Sequence, residues 1–218
     1  MVSEQIINDQ YNAIKQKFPK LNPPNLVGRV WEIIGTIDVI DDEGSYWDSY
    51  DVKVVVPEKF PEQLFELHET GNKIPKEPAW HNTISCCLST NAVMFMEMAG
   101  NLTLLNWLEK FAHPYLANHV YKIKTGNYAN GEYAHSEPGI IQGYFKIFQT
   151  KEETVVIEKL KILTGRKNTS RNVPCFCNSG KKYKRCYLLE PKKHSPGIPI
   201  VVLNDDLAQL LKLTQRKK

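Results

Sequence analysis

Val30-Trp31-Glu32-Ile33-Ile34-Gly35-Thr36-Ile37-Asp38-Val39-Ile40, then Asp41-Asp42-Glu43-Gly44, then Tyr46 to Val56, is the stretch on which the fold turns. Both arms are rich in β-branched and aromatic residues, and the acidic, glycine-ending segment between them is turn chemistry, so the stretch reads as a β-hairpin. A shorter apolar stretch near Leu64 to Leu67 follows Phe60-Pro61 and precedes Ile74-Pro75. It is expected to add a third strand, with the prolines confined to its ends or to a sheet edge. The expectation is a three-stranded meander.

Upstream of the hairpin, Ile7, Tyr11, Ile14 and Phe18 fall at spacings of four, three and four, one stripe of an amphipathic helix that Pro19 and Pro23-Pro24 stop. Downstream, residues 76–101 show little periodicity and many special residues, and read as one long irregular segment. Long loops in compact domains tend to carry function. Helical spacing returns over residues 102–122, with Leu104, Leu108, Phe111 and Tyr115 on one face, Pro114 breaking or kinking the middle and Thr125-Gly126-Asn127 at the end. Ile140, Ile141, Tyr144, Phe145 and Phe148 mark another helix. Thr150 to Lys161 is a charged helix, Thr164 to Asn172 a linker, Ile198 to Leu203 a short strand, and Asp205 opens a last amphipathic helix.

The 218 residues exceed the usual size of one domain, and the net charge of +4 hides an asymmetry. Residues 1–149 hold 12 Lys and Arg against 18 Asp and Glu, whereas residues 150–218 hold 16 against 6. The expected division is a core over 1–149, a charged helix and linker over 150–172, and a basic appendage over 173–218. Such a tail could sit on nucleic acid, a ribosome or an acidic protein face, or be a solvated face alone. Apolar residues are 42% of the chain, and no apolar run approaches the roughly 18 residues that cross a bilayer. The first ten residues are polar and acidic, unlike a secretory signal, so the five cysteines are expected to be reduced thiols in a cytoplasmic protein without a membrane partner.

Chemistry concentrates in two places. The first is Trp80-His81-Asn82-Thr83-Ile84-Ser85-Cys86-Cys87-Leu88. A nucleophilic cysteine must be partly exposed, able to reach the thiolate and near groups that hold an oxyanion, and a loop with a nearby His and Asn offers these parts. The other reading of two adjacent cysteines before a leucine is core filling. A cysteine hydrolase fits less well, since no glycine-rich oxyanion segment accompanies them.

The order of helix, hairpin, third strand, Phe60-Pro61, a loop with His81-Asn82 and then Cys87-Leu88, then helices, resembles the ubiquitin-conjugating-enzyme fold, an α+β class. It looks like the bacterial branch, particularly the conjugating enzymes encoded beside cyclic-oligonucleotide synthases in anti-phage operons. That likeness also rests on Ile74-Pro75, Thr125-Gly126-Asn127-Tyr128, Gly131-Glu132-Tyr133-Ala134-His135 and Gly139-Ile140. The family signature here lacks its proline, and Asn82 stands five residues before the cysteine. The resemblance implies an acyltransferase in which Cys87 takes the C-terminus of a partner protein, such as the synthase, as a thioester and passes it to an amine. An activating enzyme would be a further partner. Cys86 is the second choice of nucleophile, Asn82 would hold the oxyanion, and His81 or His135 would tune the thiol or take a proton. The alternative is an inactive member of the family that only presents a binding surface. The tail Gln215-Arg216-Lys217-Lys218 lacks a modifier's glycine end, so the expected role is carrier rather than modifier.

The second place is Cys175-Phe176-Cys177-Asn178-Ser179-Gly180-Lys181-Lys182-Tyr183-Lys184-Arg185-Cys186-Tyr187. It closely resembles the SEC-C motif, a small zinc-binding module of bacterial proteins. That resemblance implies a structural zinc ion on Cys175, Cys177 and Cys186, in keeping with the four thiolate or imidazole ligands such sites take. Tyr187 stands where the family has its fourth ligand, which leaves His194 as fourth ligand, a water there, or loss of the metal. A metal-free hairpin held by Phe176, Tyr183 and Tyr187 is the alternative.

Overall fold

The computed structural model describes residues 2–41, 43–129, 136–176, 179–189 and 197–216. His135, Cys177 and His194 lie outside the described residues, as do Gly131-Glu132-Tyr133-Ala134. The chain is α+β and forms two compact units, Met1–Ser89 with Asn101–Glu132, and Thr90–Gly100 with Tyr133–Lys218.

In the first unit α1 (Glu4–Ile14) starts at Ser3, whose hydroxyl accepts from the Ile6 N–H, and it buries Ile7 and Ile14. Four antiparallel strands follow in sequence order, β1 (Asn25–Val27), β2 (Val30–Ile40), β3 (Tyr46–Val56) and β4 (Glu66–Glu69). The expected meander is therefore present with one strand more than the sequence pattern shows. β1 escapes that pattern because its three residues are all exposed and carry no alternation. Trp31 pairs with Val56 and Val39 with Asp48 across the hairpin. That register sets Trp31, Ile33, Ile37 and Val39 of β2 on the same buried face as Tyr50, Val52, Val54 and Val56 of β3.

Gly35 interrupts the inward row of β2 for a steric reason. The backbone of Lys20 and Leu21 lies against it, with Thr36 N–H donating to the Lys20 carbonyl at 3.2 Å, and a Cβ at Gly35 would come within 2.8 Å of the Leu21 Cα and collide with the Lys20 oxygen.

The inner face is covered by a helix built in three pieces: α3 (Leu104–Trp107), a π-helical turn (Leu108–Ala112) and α4 (His113–Thr125). Pro114 falls in the first turn of α4, where its missing N–H is tolerated, and the wide turn before it takes up the break expected from sequence. Gly126, at φ 80°, ends α4 in the left-handed conformation. Leu104, Trp107, Leu108 and Leu116 are fully buried, and truncating any of them to alanine is expected to cost about 2–5 kcal/mol.

In the second unit α2 (Asn91–Glu97) packs with α5 (Ser136–Phe148) and α7 (Ile200–Arg216), and α6 (Glu153–Leu163) packs with α5 and α7. Two sequence expectations fail here. Residues 91–97 are helical rather than irregular, opened by Thr90, whose hydroxyl accepts from Val93 N–H. Residues 200–203 form the first turn of α7 rather than a strand, and the helix opens at Ile200 rather than Asp205. The helix prevails over the strand preference of Ile200-Val201-Val202 because Val202, Leu203, Asp206, Leu207 and Leu210 then fall on one buried face. Tyr144 of α5 donates to Asp206 of α7 at 2.8 Å, both residues being buried. Burial pushes the Asp206 carboxyl up to about 6.

Among the described residues no helix is long and apolar enough to cross a membrane.

Candidate functional site

The cysteine loop hangs from β4 in the first unit. Glu69, the last residue of that strand, accepts from the N–H groups of Lys73 and Ile74 and so shapes the turn that leads away from it. A 3-10 turn, Pro78–Trp80, delivers the chain to His81, which adopts a left-handed conformation at φ 51°. From there Asn82 and Cys86 pair as an antiparallel bridge across the neck of a short loop. Cys86 N–H donates to the Leu67 carbonyl of β4 at 2.8 Å, and Cys87 N–H to the His81 carbonyl at 2.6 Å. Successive residues of an extended segment face opposite ways. Cys86 is accordingly buried and Cys87 exposed.

Their chemistry differs with their surroundings. Burial pushes the Cys86 thiol up to about 11, against a partial offset from the Tyr115 hydroxyl beside it. The Cys87 residue is exposed, yet its sulfur is partly desolvated against the loop, and that alone raises its thiol above the ordinary value. Among the described residues no cation or helix end lowers it.

Asn82 is almost fully buried and its side chain serves the loop. Its Nδ2 donates to the Ile74 carbonyl at 2.9 Å and its Oδ1 lies 3.9 Å from Cys86 Sγ. The structure thus brings Asn82 to Cys86, and joins His81 to Cys87 through the backbone.

Helix α4 clamps the same loop by its carbonyl oxygens. The Tyr115 hydroxyl is shared between the carbonyls of Trp80 and His81 at 3.1 and 3.3 Å. Lys122 Nζ donates to the Ala79 carbonyl at 2.5 Å and stands 4.4 Å from the Trp80 ring and 4.0 Å from that of Tyr128. Tyr128 also meets the His81 ring edge to face at 5.5 Å. Beneath Trp80 is His119, whose Nδ1 lies 2.7 Å from the Tyr50 hydroxyl. Nε2 of His119 is buried and has no partner among the described residues. Burial keeps this imidazole below its usual value and hence neutral.

The sequence reading named Tyr115 only as an apolar-face residue and Tyr128 only within the Thr125-Gly126-Asn127-Tyr128 stretch, and missed His119 and Lys122. A signal was available: 115, 119 and 122 share one helix face at spacings of four and three.

In the second unit residues 173–176 and 179–189 are held together by backbone bonds, with an antiparallel bridge between Pro174 and Lys182. Cys175 N–H donates to the Lys181 carbonyl at 2.8 Å and Tyr183 N–H to the Val173 carbonyl at 2.8 Å. Phe176, Tyr183 and Tyr187 form an aromatic cluster, the two tyrosine rings stacked at 5.1 Å with 14° between their planes. Cys175 is buried, and Cys186 Sγ lies 3.4 Å from the Ser179 hydroxyl. Two thiols of the soft donor type that zinc takes are thus present, while the Tyr187 ring is engaged in the stack. Among the described residues no group of three metal-binding side chains occurs.

Comparison with known proteins bears on this hairpin. The SEC-C motif matches residues 171–186. Over 41 residues the chain is 56% identical to the protein translocase subunit SecA of Sulfurovum sp. (strain NBC37-1), a stretch that is 17% of this chain and 5% of that protein. The chain thus spans only a twentieth of the relative's length. No solved structure matches the chain.

Proposed function

We propose that this chain is a ubiquitin-conjugating-like acyl carrier with Cys87 as its nucleophile. The observation that carries the reading is the division between the two cysteines. Cys87 alone stands exposed, at the end of a loop fixed by backbone bonds to β4 and by α4, while Cys86 is buried with its thiol protonated. The order of α1, a four-stranded meander, the loop and then helices supports the same reading.

Loading exchanges one thioester for another. The Cys87 thiolate attacks the carbonyl carbon at the partner protein's C-terminus, the bond to the donor's sulfur breaks, and that sulfur takes up the proton Cys87 gave to solvent. A lysine amine then attacks, loses a proton, and Cys87 leaves as thiolate. With the Asn82 amide committed to Ile74, Asn82 holds the loop in register, and the oxyanion falls to other amide donors. The partner is a protein with a reactive chain end, of the class of the cyclic-oligonucleotide synthases of anti-phage defence, with an activating enzyme upstream. The raised Cys87 thiol and the engaged Asn82 amide favour a second reading, a binding module that keeps the architecture without transfer.

In the appendage, Cys175, Cys177 and Cys186 would hold a zinc ion with His194 as fourth ligand. The ion would supply structural cross-linking of the hairpin. The exposed Lys181, Lys182 and Arg185 beside it suit an acidic protein face or nucleic acid.

The test is intact-mass analysis of the protein isolated from its native host in acid without reductant. An adduct of protein size released by thiol, and absent from Cys87→Ala, supports the carrier. An adduct that survives in Cys87→Ala and vanishes in Cys86→Ala moves the nucleophile. Absence of any adduct, including in Cys87→Lys chains that would trap it as an amide, favours the binding module.

A further inference from the structure

Beside the neck of the cysteine loop the first unit has a polar cavity of about 400 Å³, walled by β3 and β4, by the turn after β4 and by the loop itself. Most of the charge around it is answered. Lys53 is bonded to Glu32 at 3.0 Å. Glu69, 3% exposed, accepts from two backbone N–H groups. His68 donates from Nδ1 to the Ile84 carbonyl at 3.0 Å and turns Nε2 to Glu66 at 3.3 Å. Lys76 differs: it is exposed and has no ion-pair partner among the described residues.

The rim holds a second anomaly. Ile84, at the loop tip, is 92% exposed, far beyond any other large apolar side chain among the described residues. Folding leaves that apolar surface in water, three residues before the exposed cysteine, and its backbone is tied to the cavity wall through His68.

We infer that the cavity and Ile84 together form a docking surface for the extended chain end of the acyl donor, with an acidic side chain received at Lys76 and an apolar side chain laid on Ile84. This rests on Cys87 as the acyl acceptor. Charge complementarity selects the acidic residue, and the bare isoleucine selects a peptide over a small anion. Ile84 stands three residues before Cys87, a reach of at most about 10 Å, so the apolar side chain belongs within about the last five residues of the donor, with the acidic one beside it.

The test uses two fluorescein-labelled peptides ending in glycine, identical except for aspartate or lysine beside a leucine three residues from the end. Binding to the full Cys87→Ala chain is read by anisotropy at low salt. The aspartate peptide is expected to bind about fivefold tighter than the lysine peptide, with the preference lost in Lys76→Glu and shrinking as salt is raised. Ile84→Ser is expected to weaken both peptides alike. Equal binding of the two peptides, an unchanged preference in Lys76→Glu, or no binding of either at millimolar concentration overturns the inference. If the aspartate peptide binds and responds to Lys76→Glu, yet its thioester leaves Cys87 of the unsubstituted chain unmodified, the docking surface stands and the carrier reading falls.

Discussion

Asn82 and Cys86 face each other across the neck of the cysteine loop, Oδ1 3.9 Å from Sγ, while the Asn82 amide donates to the Ile74 carbonyl. The pair closes the loop from inside and leaves its neighbour Cys87 on the outside. Whatever chemistry the loop performs is therefore assigned to one thiol of the two by burial.

Alkylation of the native chain checks this directly. Iodoacetamide, followed by peptide mapping, is expected to label Cys87 at least about a hundredfold faster than Cys86, because only the exposed thiol meets the reagent without opening the loop. The thiolate is the reactive form and burial raises the Cys87 thiol, so the labelling rate should climb about tenfold per pH unit through neutrality without levelling below pH 9. A plateau near pH 7 would show a thiol activated by a group outside the described residues.

Asn82→Ala separates structure from catalysis. Removing the amide leaves the buried Ile74 carbonyl unpaired, and the chain should lose about 1–3 kcal/mol in urea unfolding. Adduct formation by the folded fraction should persist. Full stability with loss of the adduct would instead place Asn82 in the chemistry.

The sheet was readable from sequence because its alternating rows are long, whereas α2 was not, since Ala92, Val93, Met94 and Phe95 are all buried and leave no polar face to mark a helical period. Ile200-Val201-Val202 misled for the opposite reason. Its local preference is for strand, and only packing of the following turns overrides it. The cysteine loop was found through its residue types, but the clamp by Tyr115, Lys122 and Tyr128 depends on carbonyl oxygens, and these leave no trace in residue identity.

Asp206 gives the second unit a pH-dependent component of stability. Its carboxyl binds its proton up to about pH 6 when folded, against an ordinary value of 3.8, so the folded state holds the proton more tightly. The stabilisation is complete below pH 3.8, falls as pH rises towards 6 and is constant above. The difference is on the order of 3 kcal/mol. Melting curves of Asp206→Asn against the unsubstituted chain should therefore show the variant gaining relative stability between pH 4 and 6 and holding that gain to pH 8. Parallel curves across that range would mean that the carboxyl titrates normally.

Metal analysis decides the appendage. Zinc is expected at one ion per chain and is expected to fall on Cys175→Ser and on Cys186→Ser. His194→Ala should weaken retention against a chelator, read by a zinc indicator. A chain that carries no zinc but keeps the ring contacts of Phe176, Tyr183 and Tyr187, seen as near-ultraviolet dichroism, would be the metal-free hairpin.

The chain enters the second unit at Thr90, leaves it at Gly100 and returns only at residue 133. Helix α2 is therefore made early and completed late. Its neighbours on α5 and α7, including the close approach of Gly197 to Ala99 and the Lys146–Glu97 ion pair, are encoded up to about a hundred residues further on. During synthesis the first unit can close before α5 and α7, the neighbours of α2, have been translated. For the same reason no single cut divides the gene into two self-sufficient halves: a chain ending at residue 149 would keep the cysteine loop but leave α2 without α7 to cover it.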